Sequence, residues 1–219
     1  QTPTANLAPT VIFVLFWVGL PFLSVLFGDV FAAFSPWRAV ARAVAWVAQR
    51  IAPKGLPKPL AYPERVGRWP AAAGIFAFVW LELVYVNRDR PSTLAVLALA
   101  YAAVMLVGMS LYGIETWTRN ADAFAVTFGL YALLSPVHWH QRRLGLRPPL
   151  VGAPRMPTVA GSVALVCVLI GTTSFDGFSQ GAVWTGEDGL AERFTSVFTS
   201  LGFGQSAAVQ AGYTLGLLL

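Results

Sequence analysis

The residues of this 219-residue chain best placed to do chemistry are two acids and a run of hydroxyls. Glu82 is the single acid in the apolar stretch 70–86, and Asp176 closes the run Gly171-Thr172-Thr173-Ser174-Phe175-Asp176-Gly177. An ionisable side chain inside an apolar segment is costly, so it marks a proton path, an ion site or a charged partner. Twelve helical residues separate Pro70 from Glu82, about 18 Å of rise, which places the carboxylate within the outer half of a bilayer. Thr172, Thr173 and Ser174 would bind a polar substrate or a cation beside the Asp176 carboxylate. Glycines on either side permit tight backbone turns, so helix capping with an Asx turn is the alternative for this run. A hydrogen bond to a neighbouring helix is the alternative for Glu82. His138 and His140 flank Trp139, and two imidazoles two positions apart on a loop are a possible zinc pair. The alternative is an interfacial Trp between solvated histidines.

These groups must be positioned by membrane helices. Hydrophobic residues make up 56% of the chain and charged residues 11%, against about 25% charged in soluble domains. Mean hydropathy is +0.63. Such a chain cannot cover a soluble surface with charge, and the fold class expected is all-α, a polytopic helical membrane protein. The predicted spans are 8–28, 70–86, 92–114, 156–175 and 207–219, with a short or re-entrant segment at 123–137. That gives five to six hydrophobic segments in a single helical domain over 1–219. Ser35 followed by Pro36 reads as an N-cap and first helical residue, opening an amphipathic helix over 36–51. Its apolar face is Trp37, Val40, Ala41, Val44, Val47, Ala48 and Ile51. Its basic face carries Arg38, Arg42 and Arg50, which would meet anionic lipid headgroups in the interface. Packing of this helix on other spans is the alternative. Residues 53–70, 138–157 and 176–204 read as loops, the first two basic and the third acidic. Trp69, Tyr85, Tyr112 and Trp117 near span ends read as an aromatic belt. Gly108, Ser110 and Gly161 fit close helix packing.

The net charge is +5, and eleven of the fifteen basic residues lie in 30–68 and 138–157. Cytoplasmic loops collect Lys and Arg. If 123–137 crosses, the basic residues divide nine to six between the sides; if it re-enters, twelve to three. The second arrangement is the expectation. No nucleic-acid motif accompanies the positive charge, so no nucleic-acid partner is expected. Cys167, the single cysteine, reads as a small buried hydrophobe. The Ser-Pro pairs at 35–36 and 135–136, each behind an apolar segment and an Asp, suggest an internal echo of the transporter type. Walker A, G-x-G-x-x-G, G-x-S-x-G and H-E-x-x-H patterns are absent from the sequence. A start at Gln1 and an end in three leucines read as the cut ends of a longer polytopic protein.

Several segments resemble one family: NLAPT at 6–10, FWVGLPFLSVLFGDVFAAFSPW at 16–37, YPERVGRWP at 62–70, WLELVY at 80–85 and GTTSFDG at 171–177. Together they are similar to bacterial, mainly actinobacterial, integral membrane proteins labelled fenitrothion hydrolase, and cover most of the chain. The resemblance implies a multi-helix protein of the bacterial cytoplasmic membrane, longer than this chain, that hydrolyses an organophosphate triester. No catalytic motif of that family can be carried over. A hydrolase would need a carboxylate or a water bound to a divalent metal as nucleophile or base, with Glu82 and Asp176 as base or ligand, and the sequence leaves open whether a metal is used. In a transporter or channel subunit the same residues would hold a cation or proton. A non-catalytic scaffold bound to another membrane subunit is the third reading.

Overall fold

Apolar stretches without charge have no polar face to turn to water, and their backbones must bond internally in lipid, so they form helices. The structure, a computed structural model, describes residues 7–52, 57–140 and 143–219, and for 138–140 and 143–144 the backbone alone. It is helical apart from one hairpin and divides into two compact units, Gln1–Ala71 with Asp89–Ser162, and Ala72–Arg88 with Val163–Leu219.

Helix α1 runs as a π-helix over Thr10–Gly19 and as an α-helix over Leu20–Phe27. Pro21 supplies no amide for the Trp17 carbonyl, and the wider π turns precede it. Gly28 ends α1 at φ +86°, with the Val137 carbonyl so close that a Cβ would stand 3.1 Å from its oxygen. Asp29 then caps α2 (Val30–Phe34) by accepting from the Ala32 amide at 3.0 Å. Ser35 caps α3 (Pro36–Ile51), which has the bounds expected from Ser35-Pro36. Its Trp37 and Ala41 pack on Tyr101, Met105 and Met109. Val40, Val44, Val47 and Ile51 stay exposed as a stripe.

Helix α5 (Pro91–Tyr112) turns at Gly113 into α6 (Ile114–Asn120). Gly108 lies under the Trp117 ring, where a Cβ would overlap the indole, and Tyr112 stacks on the same ring at 5.7 Å. Gly161 is likewise pressed against Arg68 and Trp69, whereas Ser110 is exposed and donates to the Val107 carbonyl. Asp122 caps α7 (Ala123–Ala132). At about 1.5 Å per residue, ten residues are about 15 Å, half the hydrocarbon thickness. This short helix is the centre of the first unit. Phe124 and Phe128 pack on Phe16 of α1 at 4.8 and 5.5 Å, Phe128 on Phe31 of α2 at 5.2 Å, and Phe124 on Tyr101 of α5 at 5.2 Å.

The segment 138–157 is not a plain loop. It holds an antiparallel hairpin, β1 (Val137–His140) with β2 (Arg143–Leu146), in which Val137 faces Leu146 and His140 faces Arg143. A 3-10 turn at Ala153–Arg155 follows. The strands have four residues each, too short for an alternating pattern to stand out. The echo between the Ser-Pro pairs does not extend to structure, because Ser35 opens a helix whereas Ser135 leads into β1 and donates to the Leu26 carbonyl.

Helix α4 (Trp69–Leu83) stops short of 86, because the Arg88 guanidinium donates to the Glu82 and Leu83 carbonyls at 2.8 and 3.2 Å and closes the last turn. Helix α8 (Ser162–Ser179) begins later than expected and extends past 175. Residues 176–204, expected to be a loop, are largely helical: α8 ends, α9 (Ala182–Thr185) follows, and α10 (Leu190–Ser200) pairs with α11 (Gln205–Leu218). Leu190, Ala191, Phe194, Val197 and Phe198 recur at helical spacing in a segment whose glycines and acids suggest a loop. Trp184, 1% exposed, centres this unit between Phe175 at 5.0 Å, Tyr213 at 5.2 Å and Phe194 at 5.8 Å. Gly216 leaves the space that the Trp184 ring fills.

Among the described residues, three helices are long and apolar enough to cross a membrane: Thr10–Phe27, Pro91–Tyr112 and Ser162–Ser179. Little of each is covered by protein, and Val14, Phe22, Val96, Leu99, Val163 and Ile170 are exposed on them. An apolar face that the protein leaves open, on a helix with no polar face, is a lipid-facing surface. Cys167 is exposed on α8, not buried as the apolar run suggested.

Candidate functional site

In the second unit, Glu82 lies on α4 and Asp176 on α8. The two carboxylates are close enough for their charges to interact, and Arg88 is a second charge within reach of Glu82. Glu82 is half-buried and Asp176 exposed. Glu82 is the next-to-last residue of its helix, so it stands at a helix end and not inside a longer span. Residues 171–177 are not a turn. They lie within α8, and their glycines have ordinary negative φ. The hydroxyls therefore bond backward along the helix, a common use of Ser and Thr there. Thr172 donates to the Val168 carbonyl at 2.7 Å and Thr173 to the Leu169 carbonyl at 2.8 Å. Thr172 is 4% exposed and faces the core with Phe175, whereas Thr173 and Ser174 face outward. Of the expected hydroxyls, Thr173 and Ser174 are thus on the open side of the helix that also carries exposed Asp176. The Trp80 indole of α4 donates to the Thr214 hydroxyl of α11 at 2.8 Å, giving the same unit a polar tie between helices.

The first unit holds a cavity of about 280 Å³ with an apolar wall from α7 and polar groups from Asp29 before α2, Arg38 of α3, Arg68 before α4, and Glu115 and Arg119 of α6. Glu115 of α6 accepts from Arg38 at 2.5 Å and from Arg42 at 2.8 Å, the two arginines being one turn apart on α3. The Arg38 bond is the largest influence holding the Glu115 carboxyl below its usual value, with Arg42 adding to it. Burial pushes the Asp29 carboxyl up, against the Ala32 amide and Arg38, which favour its charge. Arg50, by contrast, lies over the Trp46 ring at 4.6 Å, a cation–π contact.

Arg68 is 6% exposed. It donates to the Pro157 carbonyl and the Ser162 hydroxyl, both at 3.4 Å, its Nε has no partner, and no carboxylate pairs with it among the described residues. Burial lowers the affinity of its guanidinium for the proton. Neither Arg68 nor Arg119 stands out in the sequence, where each is one of fifteen basic residues. Next to the cavity wall, Asp122 is fully buried and its Oδ1 accepts from the Tyr101 hydroxyl at 2.8 Å and from the Phe124 and Ala125 amides at 3.1 and 3.0 Å. An Asp just before an apolar run is a readable cap; the tyrosine that completes its coordination comes from another helix.

His138 and His140 are in β1, and their side chains lie outside the described residues. Among the described residues no group of three or more His, Cys, Asp or Glu is gathered as for a metal ion. Comparison with protein-family models, curated proteins and solved structures finds no match for the chain.

Proposed function

We propose that this chain is a bacterial cytoplasmic membrane protein that takes up a proton or a small cation at Glu82 and Asp176. The observation that carries this reading is that carboxylates on two separate apolar helices lie within electrostatic reach of each other. Like charges within electrostatic reach of each other at a membrane favour taking up a proton or a cation over remaining two free anions. Thr173 and Ser174 offer hydroxyl oxygens on the same helix as Asp176.

The similarity of five segments to proteins labelled fenitrothion hydrolase supports a second reading, in which one carboxylate of the pair serves as general base for attack of water on an organophosphate triester. A scaffold role would need neither carboxylate. The test uses the purified full-length protein. In liposomes, pH- or Na⁺-driven flux that falls at least tenfold in both Glu82→Gln and Asp176→Asn is the expected result. Flux that is unaffected by both changes would sink the assignment. Release of nitrophenol from a phosphotriester in detergent, with and without Zn²⁺, lost in the same variants, would move the pair to the hydrolytic reading.

A same-side arrangement of the two basic segments supports the cytoplasmic placement. The end of α5 meets 57–62 through the Leu60 amide on the Leu111 carbonyl, and Arg68 meets the start of α8 through its amide on the Ala160 carbonyl. The chain thus leaves α5 and enters α8 at one end of the first unit, so α7 need not cross.

A further inference from the structure

We propose that the arginine-lined cavity of the first unit is a binding site for a phosphate group, carried either by a soluble anion or by a lipid headgroup. Four guanidiniums gather at it, Arg38, Arg68 and Arg119 in its wall and Arg42 behind Glu115, against the two carboxylates Asp29 and Glu115. Glu115 is neutralised by Arg38 and Arg42, which leaves Asp29 as the one other acid beside Arg68 and Arg119. Arg119 has no ion pair among the described residues.

Arg68 is the main observation. An arginine that is 6% exposed is costly without an anion, because removing a charge from water is repaid only by a partner and by full hydrogen bonding. Arg68 has two long bonds to neutral oxygens, and both its Nε and that of Arg38 are buried without an acceptor. An oxyanion supplies what is missing. The planar fork of arginine matches the oxygens of phosphate, two N–H groups to two oxygens. A cavity of about 280 Å³ exceeds by severalfold the ~30 Å³ that one water occupies. It can therefore admit a phosphate with part of its hydration.

The test is a titration of inorganic phosphate against the protein in lipid-free detergent, read by calorimetry and by thermal shift. Sulfate and chloride serve as comparisons. A parallel arm reconstitutes the protein in nanodiscs of phosphatidylcholine with or without phosphatidic acid and identifies retained lipid by native mass spectrometry. Saturable binding of inorganic phosphate identifies a soluble ligand. Retention of phosphatidic acid without a response to inorganic phosphate identifies a headgroup. In either case Arg68→Gln and Arg119→Gln should weaken binding by about tenfold or more, the range for hydrogen bonds to a charged group. Arg50→Gln should leave it unchanged. Arg119 is exposed, so its variant keeps the fold if that of buried Arg68 does not. The proposal is overturned if neither probe binds, if Arg119→Gln binds as the parent does, or if Arg50→Gln weakens binding equally, which would mean diffuse attraction to a basic surface.

Discussion

Asp122 shows how much one side chain can join. Its Oδ1 caps α7 twice and accepts the Tyr101 hydroxyl of α5. Replacement by Ala removes a cap and leaves the Tyr101 hydroxyl without its acceptor, a loss of about 2 kcal/mol. Asp122→Asn keeps an acceptor oxygen and should cost much less. Chemical unfolding of both variants in detergent measures the difference, and equal losses would mean that the carboxylate charge, not the hydrogen bonding, is what matters. Glu115 makes a pH prediction. Its carboxyl is held below the ordinary 4.5 by Arg38 first and Arg42 second. A lowered folded value means that the stabilisation is present above 4.5 and is lost as pH falls through the lower folded value. The carboxylate is largely exposed, so solvent screens the effect. Acid titrations of the parent and of Glu115→Gln should therefore separate modestly above pH 4.5 and converge as pH falls through the lower folded value.

At the scale of elements, α7 ends on a side chain distant in sequence. Arg147 donates to the carbonyls of Ala132, Leu133 and Ser135 at 3.1, 2.9 and 2.9 Å. Charge at a helix C-terminus is favourable as well. Arg147→Gln should destabilise the unit by about 1–3 kcal/mol, with faster hydrogen exchange at the end of α7. Unchanged exchange there would remove Arg147 from that role. Helix packing makes a companion prediction. Gly108 and Gly216 each yield their side-chain space to a tryptophan, so Gly108→Ala and Gly216→Ala should each cost about 1–3 kcal/mol by overpacking. Gly171→Ala, with open space at its Cβ position, should be neutral or slightly stabilising, since Ala is the better helix former.

At the scale of the whole molecule, the two basic segments share one end of the first unit. Their exposed residues should therefore have the same membrane sidedness. In a Cys167→Ala background, Arg65→Cys and Arg155→Cys are expected to react alike with an impermeant thiol reagent in sealed vesicles. Opposite accessibility would mean that α7 carries the chain across the bilayer. Glu82→Gln and Asp176→Asn belong to this scale too, because flux across a membrane is a property of the assembled protein.

Much of this organisation was legible along the chain. Charge scarcity and the long uncharged runs dictate a helical membrane protein, and Asp29, Ser35 and Asp122 mark helix starts, since a cap is decided by residues two or three positions apart. The short strands at 137–146 and the helices at 182–200 were not legible, the first for want of length and the second because glycines and acids mask a helical hydrophobic spacing. The meeting of Arg38 with Glu115, 77 positions apart, the burial of Arg68 and the approach of Glu82 to Asp176 were beyond reach for a different reason. Hydropathy and capping are local and add up residue by residue. Which charge meets which depends on how the helices pack, and that is set by long-range contacts such as Phe16 on Phe124 and Trp117 on Gly108, which leave no spacing in the sequence.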